Sequence, residues 1–139
     1  MAVKQGLVSR VDPWLPPLAL MGLIFFLSAQ PDLNSGLGVI DLIGRKFIHA
    51  GEYALLCFLL WRALREVMPA RRAPLAALAI AVAFSCTDEF HQTFVHGRHG
   101  SPLDVLIDAS GVTMAFGAVT LLAGRRRAGA SSPARTRPG

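Results

Sequence analysis

Residues 74–92, PLAALAIAVAFSCTDEFHQ, form an apolar run that ends in polar and charged side chains. From Leu75 to Phe84 every residue is Ala, Leu, Ile, Val or Phe, so the apolar residues lie in a block and not at amphipathic spacing. Pro74 suits the first turn of a helix, where a missing N–H donor costs no intrahelical bond. The stretch predicts a membrane-spanning helix over residues 74–94 whose polar residues come last.

Three further runs of the same kind lie at residues 13–30, 45–64 and 102–123. About 20 residues at 1.5 Å each suffice to cross a hydrocarbon core of roughly 30 Å. The composition agrees, with 53% hydrophobic residues, 17% charged residues and a mean hydropathy of +0.46. The sequence predicts an all-α integral membrane bundle of four transmembrane helices over residues 1–124, followed by a basic, disordered tail over residues 125–139.

The positive charge of the chain, +5 overall, lies mainly in three segments. These are the N-terminal segment, the loop at residues 60–73 and the tail. By the positive-inside rule, we expect these segments and both termini to face the cytoplasm. No aromatic residues interleave with the arginines to stack on bases, so nucleic acid is not expected as a partner.

With this topology, the unusual polar residues fall near the extracytoplasmic ends of the helices. An unpaired ion facing lipid is costly, so we expect these side chains to turn inward and form one polar cluster. Residues three and four apart share a helix face, as His49 and Glu52 do. The predicted cluster comprises Ser28, Gln30, Arg45, Lys46, His49, Glu52, Asp88, Glu89, His91, Gln92, Arg98, Asp104 and Asp108.

The residue types in this cluster indicate two kinds of chemistry. A carboxylate near an imidazole can act as an acid or a base, which makes catalytic candidates of His49, Glu52, Asp88 and Glu89. The candidates for ligand binding are Gln30, Arg45, Gln92, Arg98, Asp104 and Asp108.

Less specific readings of these residues stay open. The cluster could be a purely structural ion-pair network. Arg45 and Arg98 could reach the lipid head groups, or Arg98 could pair with Asp104. Arg98 also follows Gly97 on a turn, where its guanidinium could bind a phosphate or carboxylate through two N–H groups. No cofactor or resident metal is predicted, because no dedicated motif such as HExxH is present. The residues nearest to a metal set are His49, Glu52, Glu89 and His91.

At these positions the chain resembles the VanZ-like family of bacterial membrane proteins, named for a teicoplanin-resistance accessory protein. The similar segments are Phe26–Pro31, Arg45–His49 with Glu52-Tyr53, Asp88–Gln92 with Phe94, Gly97-Arg98, and Ser101 with Asp104 and Gly111. Their order and spacing cover all four predicted helices. Asp108 stands where the family often has Asn. The resemblance implies a bacterial cytoplasmic membrane protein that acts at the cell envelope, in some members with reduced susceptibility to a lipoglycopeptide antibiotic.

Two functions therefore remain as hypotheses. The first is an envelope protein whose outward-facing polar pocket binds a membrane lipid head group, a lipid-linked envelope precursor, a glycopeptide-related ligand or an envelope protein. The second is an intramembrane enzyme that uses His and carboxylate acid–base chemistry, or a metal, on a phosphate-bearing lipid. A transporter is disfavoured, because the cytoplasmic halves of the helices carry almost no polar residues.

Overall fold

The computed structural model describes residues 13–30, 39–98 and 100–130, and side chains within 13–30, 43–98 and 100–125. These ranges contain four α-helices and no strand: α1 (Leu15–Ser28), α2 (Val39–Leu64), α3 (Ala73–Gln92) and α4 (Pro102–Ala130). The predicted all-helical fold is confirmed. Three helices are long and apolar enough to cross a membrane, over Ile43–Leu64, Ala73–Gln92 and Pro102–Arg125. The remaining helix, α1, is apolar but has only 14 residues.

Two helices extend beyond their predicted bounds. α2 begins at Val39, ahead of the predicted residue 45. α4 continues to Ala130, past the predicted residue 123, so the first residues of the predicted disordered tail are helical. Arg and Ala are good helix formers, and no proline interrupts residues 103–130. The rest of the predicted tail, 131–139, and residues 31–38, which follow the first predicted helix, lie outside the described residues.

Proline and a capping serine mark where the helices begin. α1 and α3 each carry proline in the first turn, where the N–H donor of a residue has no intrahelical acceptor. Before α4, the Ser101 hydroxyl accepts a hydrogen bond from the Leu103 amide at 3.2 Å, and Pro102 is the first helical residue. The turn between α3 and α4 contains Gly97 at φ 79°, a left-handed conformation that glycine adopts without strain.

The apolar core is centred on α2, which contacts the other three helices. One face of α2 supplies half of the buried apolar core, and α3 meets it with alanines four residues apart, which lets the two helices approach closely. Large apolar side chains elsewhere point outward, as expected of a bundle surrounded by lipid. The buried core comprises Ile24, Tyr53, Leu56, Cys57, Leu60, Trp61, Leu64, Ala73, Ala77, Ala81, Val112 and Val119.

Gly111 fixes the distance between α2 and α4. A Cβ atom at this position would overlap the carbonyl oxygen of Ala50 and lie 2.8 Å from its carbonyl carbon. The backbones of the two helices are therefore in direct contact. This contact lies next to His49 in sequence on α2 and one turn from Asp108 on α4, so it sets how closely the polar side chains of the two helices approach.

Candidate functional site

A cavity of ≈ 220 Å³ lies where the start of α2, the end of α3 and the start of α4 meet. Charged and polar side chains dominate its wall. The lining residues are Arg45, Lys46, His49, Glu89, Gln92, Gly97, Arg98, Asp104, Ile107 and Asp108. Polar side chains from three helices therefore converge on this one cavity.

Two cations on the cavity wall are held in different ways. Lys46 Nζ forms an ion pair with Asp104, and both side chains are about a third exposed. Arg98 donates from Nε to the backbone carbonyl of Gln30 at 3.1 Å and from Nη2 to that of Leu27 at 3.5 Å. Within the described ranges, no carboxylate lies at ion-pair distance from Arg98, so the alternative of an Arg98–Asp104 salt bridge is wrong. The positive charge of Arg98 is thus positioned by neutral groups.

Three side chains from three helices meet in the cavity: His49 of α2, Glu89 of α3 and Asp108 of α4. His49 Nδ1 lies 4.0 Å from Asp108 Oδ1. Each of the three residues offers one nitrogen or oxygen atom that could bind a metal ion, and these three atoms lie within 4.8 Å of one another. Glu89 and Asp108 are buried, whereas His49 is partly exposed.

Neutral donors hold the two buried carboxylates in place. Asp108 Oδ2 accepts a hydrogen bond from the Ser85 hydroxyl at 2.9 Å. Glu89 Oε2 accepts from the Ser101 amide at 3.0 Å, and Glu89 Oε1 from the Gln92 side chain at 3.3 Å. Because Ser101 precedes α4, the Glu89 carboxylate sits at the positive end of that helix. These contacts fix both carboxylates toward the cavity.

Asp88 belongs to a buried network behind the cavity, to which the Gln92 side chain connects it through Glu89. Its Oδ2 accepts from the Ser28 hydroxyl at 2.7 Å and from the Gln92 amide at 3.1 Å. Asp88 is fully buried, and its Oδ1 has no hydrogen-bond partner within the described ranges. The Tyr53 hydroxyl, likewise buried and unpaired among those residues, faces the same carboxylate. Asp88 therefore links α3 to α1 and does not line the cavity.

Three further residues of the predicted cluster do not line the cavity. Glu52 is half-buried on α2, one turn beyond His49. The His91 ring stacks on Phe25 at a centroid distance of 4.0 Å, which connects it to α1 and not to the other predicted metal ligands. The Gln30 side chain donates to the Phe26 carbonyl at 3.1 Å and caps its own helix. The four residues that come nearest to a metal set in the sequence, His49, Glu52, Glu89 and His91, are thus not brought together.

Some residues that shape the cavity were not among the predicted site residues. Ser85 looks like an ordinary small residue in an apolar run, and only its position one turn before Asp88 and Glu89 signalled a polar neighbourhood. Ile107 carries no chemical signal at all. Ser101 binds Glu89 through its backbone amide, and a main-chain contact of this kind cannot be read from the residue type.

A protein-family model described as VanZ/LLP1 matches residues 13–123, most of the chain. The chain belongs to the VanZ/LLP1 family. The resemblance seen in the sequence is therefore confirmed, and every cavity residue of this VanZ/LLP1 protein lies inside the matched range. Neither the curated proteins nor the solved structures contain a match to the chain.

Proposed function

We propose that this VanZ/LLP1 protein is a multi-pass protein of the bacterial cytoplasmic membrane that binds the phosphate of an anionic lipid head group, or of a lipid-linked envelope precursor, in its polar cavity. The cavity faces the extracytoplasmic side, and both termini face the cytoplasm. The positions of Arg62, Arg65, Arg71, Arg72 and Arg125 support this orientation, since all five lie toward the ends of the helices opposite to the cavity.

The main support for the proposal is the position of Arg98 on the cavity wall. A guanidinium has five N–H donors, and the structure shows two of them bound to backbone carbonyls. The side chain is thereby held on the cavity wall before any ligand arrives, and an anion would supply the opposite charge. Planar guanidinium groups bind phosphate through two parallel hydrogen bonds, which suits this preorganised position.

The size of the cavity narrows the class of ligand. A volume of ≈ 220 Å³ is below the roughly 300–1,000 Å³ typical of pockets that enclose a drug-sized molecule. A phosphate with a short head group fits this space better than a whole glycopeptide. The apolar surfaces of the surrounding helices would leave the acyl chains of the ligand in the membrane.

An intramembrane enzyme acting on the same phosphate-bearing lipid is the second candidate. Its support is the 4.0 Å approach of His49 to Asp108 beside Arg98 in one cavity. Catalytic hydrogen bonds are often long before substrate binds, so this pair could act as acid and base while Arg98 holds the phosphate. Hydrolysis of one phosphate ester bond of bound phosphatidylglycerol, which consumes one water and gives phosphatidic acid with glycerol or diacylglycerol with glycerol phosphate, would favour this candidate over simple binding.

Native mass spectrometry of the protein in neutral detergent tests the proposal. We expect short-chain phosphatidylglycerol to bind and the matching diacylglycerol, which lacks the phosphate, not to bind. Arg98→Gln should weaken phosphatidylglycerol binding about 10- to 100-fold, the equivalent of losing one charge-assisted contact.

The matched control is Arg65→Gln, at the opposite end of the bundle, where Arg65 lies over the Trp61 ring. This variant should bind phosphatidylglycerol as the wild type does. Equal binding of the charged and neutral lipids, or equal losses in the two arginine variants, would contradict the proposal.

A further inference from the structure

We infer that His49, Glu89 and Asp108 form a binding site for one divalent transition-metal ion, of the Zn²⁺ or Mn²⁺ type. Imidazole favours zinc and its neighbours, and carboxylates favour harder ions such as manganese, so a mixed set accepts either. The three residues come from three different helices and converge on one point of the cavity. This site goes beyond head-group binding and does not depend on which lipid the cavity holds.

The distances are close to those of a ligand set around an ion. Ligands of tetrahedral zinc at about 2.0–2.2 Å from the metal lie roughly 3.4 Å apart. The three atoms here lie within 4.8 Å of one another, and His49 Nδ1 is 4.0 Å from Asp108 Oδ1. Small side-chain rotations, on the order of 1 Å at the ligand atoms, would close the site without moving a helix.

The charge of the region provides a second, independent reason to expect a cation. Asp88, Glu89 and Asp108 are all more than nine-tenths buried. The hydrogen bonds that the structure shows to them come from neutral groups, and Asp88 Oδ1 has none from the described residues. Burying several carboxylates beside one another is costly unless positive charge is supplied. Lys46 and Arg98 on the cavity wall bind Asp104 and backbone carbonyls, whereas a dication between Glu89 and Asp108 would place positive charge directly at these carboxylates.

The hydrogen bonds around these carboxylates also resemble those that orient the ligands of metal sites. Metal-binding carboxylates are commonly fixed by hydrogen bonds from outside the first coordination sphere. The Ser85 hydroxyl binds Asp108 Oδ2 and leaves Oδ1 directed at His49, and the Ser101 amide binds Glu89 Oε2. Three protein ligands leave at least one coordination position for water or a phosphate oxygen. That position would open into the same cavity that Arg98 lines.

Metal titration of the chelator-treated protein tests the inference. The protein is kept in lipid-free neutral detergent, so head-group binding plays no part in the result. Co²⁺ is followed by its visible absorption, Mn²⁺ by electron paramagnetic resonance, and Zn²⁺ by competition with Co²⁺. We expect one equivalent to bind saturably, and Asp108→Asn and His49→Gln each to weaken binding by at least about 10- to 100-fold.

Glu52→Gln is the matched control. It removes a half-buried carboxylate one turn from His49 on the same helix, outside the cavity wall, and should leave the metal affinity unchanged. A second variant keeps His49 as the only one of the four histidines and should still bind one ion. This variant locates the site even if Asp108→Asn does not fold.

Three results would overturn the inference. They are the absence of saturable binding to the wild type, an equal loss in Glu52→Gln and Asp108→Asn, and no binding by the chain that retains only His49. Phosphatidylglycerol binding is measured separately from metal binding. If the wild type binds the metal but does not distinguish phosphatidylglycerol from diacylglycerol, only the head-group proposal is overturned. If the wild type selects phosphatidylglycerol but binds no metal ion, only the metal site is overturned.

Discussion

Replacing Gly111 with alanine should separate α4 from α2 and damage both the stability and the site. The new Cβ would lie 2.8 Å from the Ala50 carbonyl carbon and 3.1 Å from its Cα, in contact with backbone that cannot rotate away. The Cβ would also overlap the Ala50 carbonyl oxygen, and carbon atoms prefer separations of about 3.5–4.0 Å, so the helices must part by about 1 Å or more. Such overpacking costs about 1–3 kcal/mol, against a helix-propensity gain of up to about 1 kcal/mol for Gly→Ala.

Gly117→Ala is the control on the same helix, because a Cβ there meets nothing within 4 Å. Thermal unfolding in detergent, followed by circular dichroism, should show Gly111→Ala as less stable than Gly117→Ala by about 1–3 kcal/mol. Gly111→Ala should also weaken metal binding, since α2 and α4 carry His49 and Asp108. Equal stability of the two alanine variants would refute the close contact and the packing argument built on it.

Two further predictions concern the buried network and the topology. Ser28→Ala removes a buried donor to Asp88 and should lower stability by about 1.5–3 kcal/mol, whereas Ser110→Ala, at an exposed hydroxyl bonded within its own helix, should change it little. Equal unfolding temperatures of these two variants would exclude a stabilising Ser28–Asp88 bond. In a chain without Cys57 and Cys86, a cysteine at His96 should react with an impermeant reagent from outside intact cells, and one at Arg125 should not. The reverse labelling would invert the proposed orientation.

The sequence was informative about the helices because apolar blocks leave few alternatives. The run of residues 74–92 can satisfy its backbone hydrogen bonds in a membrane only as a helix, and the structure places α3 there. The ends were less predictable. Arg and Ala continue a helix into water as readily as they form a tail, so nothing in the residues after position 123 indicated where α4 stops.

The depth of the polar residues could be predicted, but their direction could not. Counting residues from the helix ends placed His49, Glu89 and Asp108 at one level, and these three do meet. Rotation about each helix axis depends on neighbours that a single sequence does not reveal. Asp88 turns toward the Ser28 hydroxyl of α1.

The same limit applies to Glu89 and His91, which the sequence placed in one polar cluster. His91 lies two residues from Glu89, about 200° around the helix at 100° per residue, so the two side chains point to different neighbours. Glu89 faces the cavity, and His91 meets Phe25 of α1. On α4, Asp108 lies on the face that meets His49 and Glu89. This position depends on how α4 packs against α2 and α3, which the sequence alone does not show.

The short first helix accounts for the position of Arg98. At about 1.5 Å per residue, the 14 residues of α1 extend roughly 21 Å, less than the thickness of a hydrocarbon core. The last carbonyls of α1 therefore need donors where water is scarce, because a helix end leaves its final acceptors unpaired. The Gln30 side chain donates to the Phe26 carbonyl, and Arg98 donates to the carbonyl of Gln30, just after α1, and to that of Leu27, which also accepts from the Gln30 amide. The same bonds that join Arg98 to the end of α1 thus hold its guanidinium on the cavity wall, which is the position that the proposed phosphate binding requires.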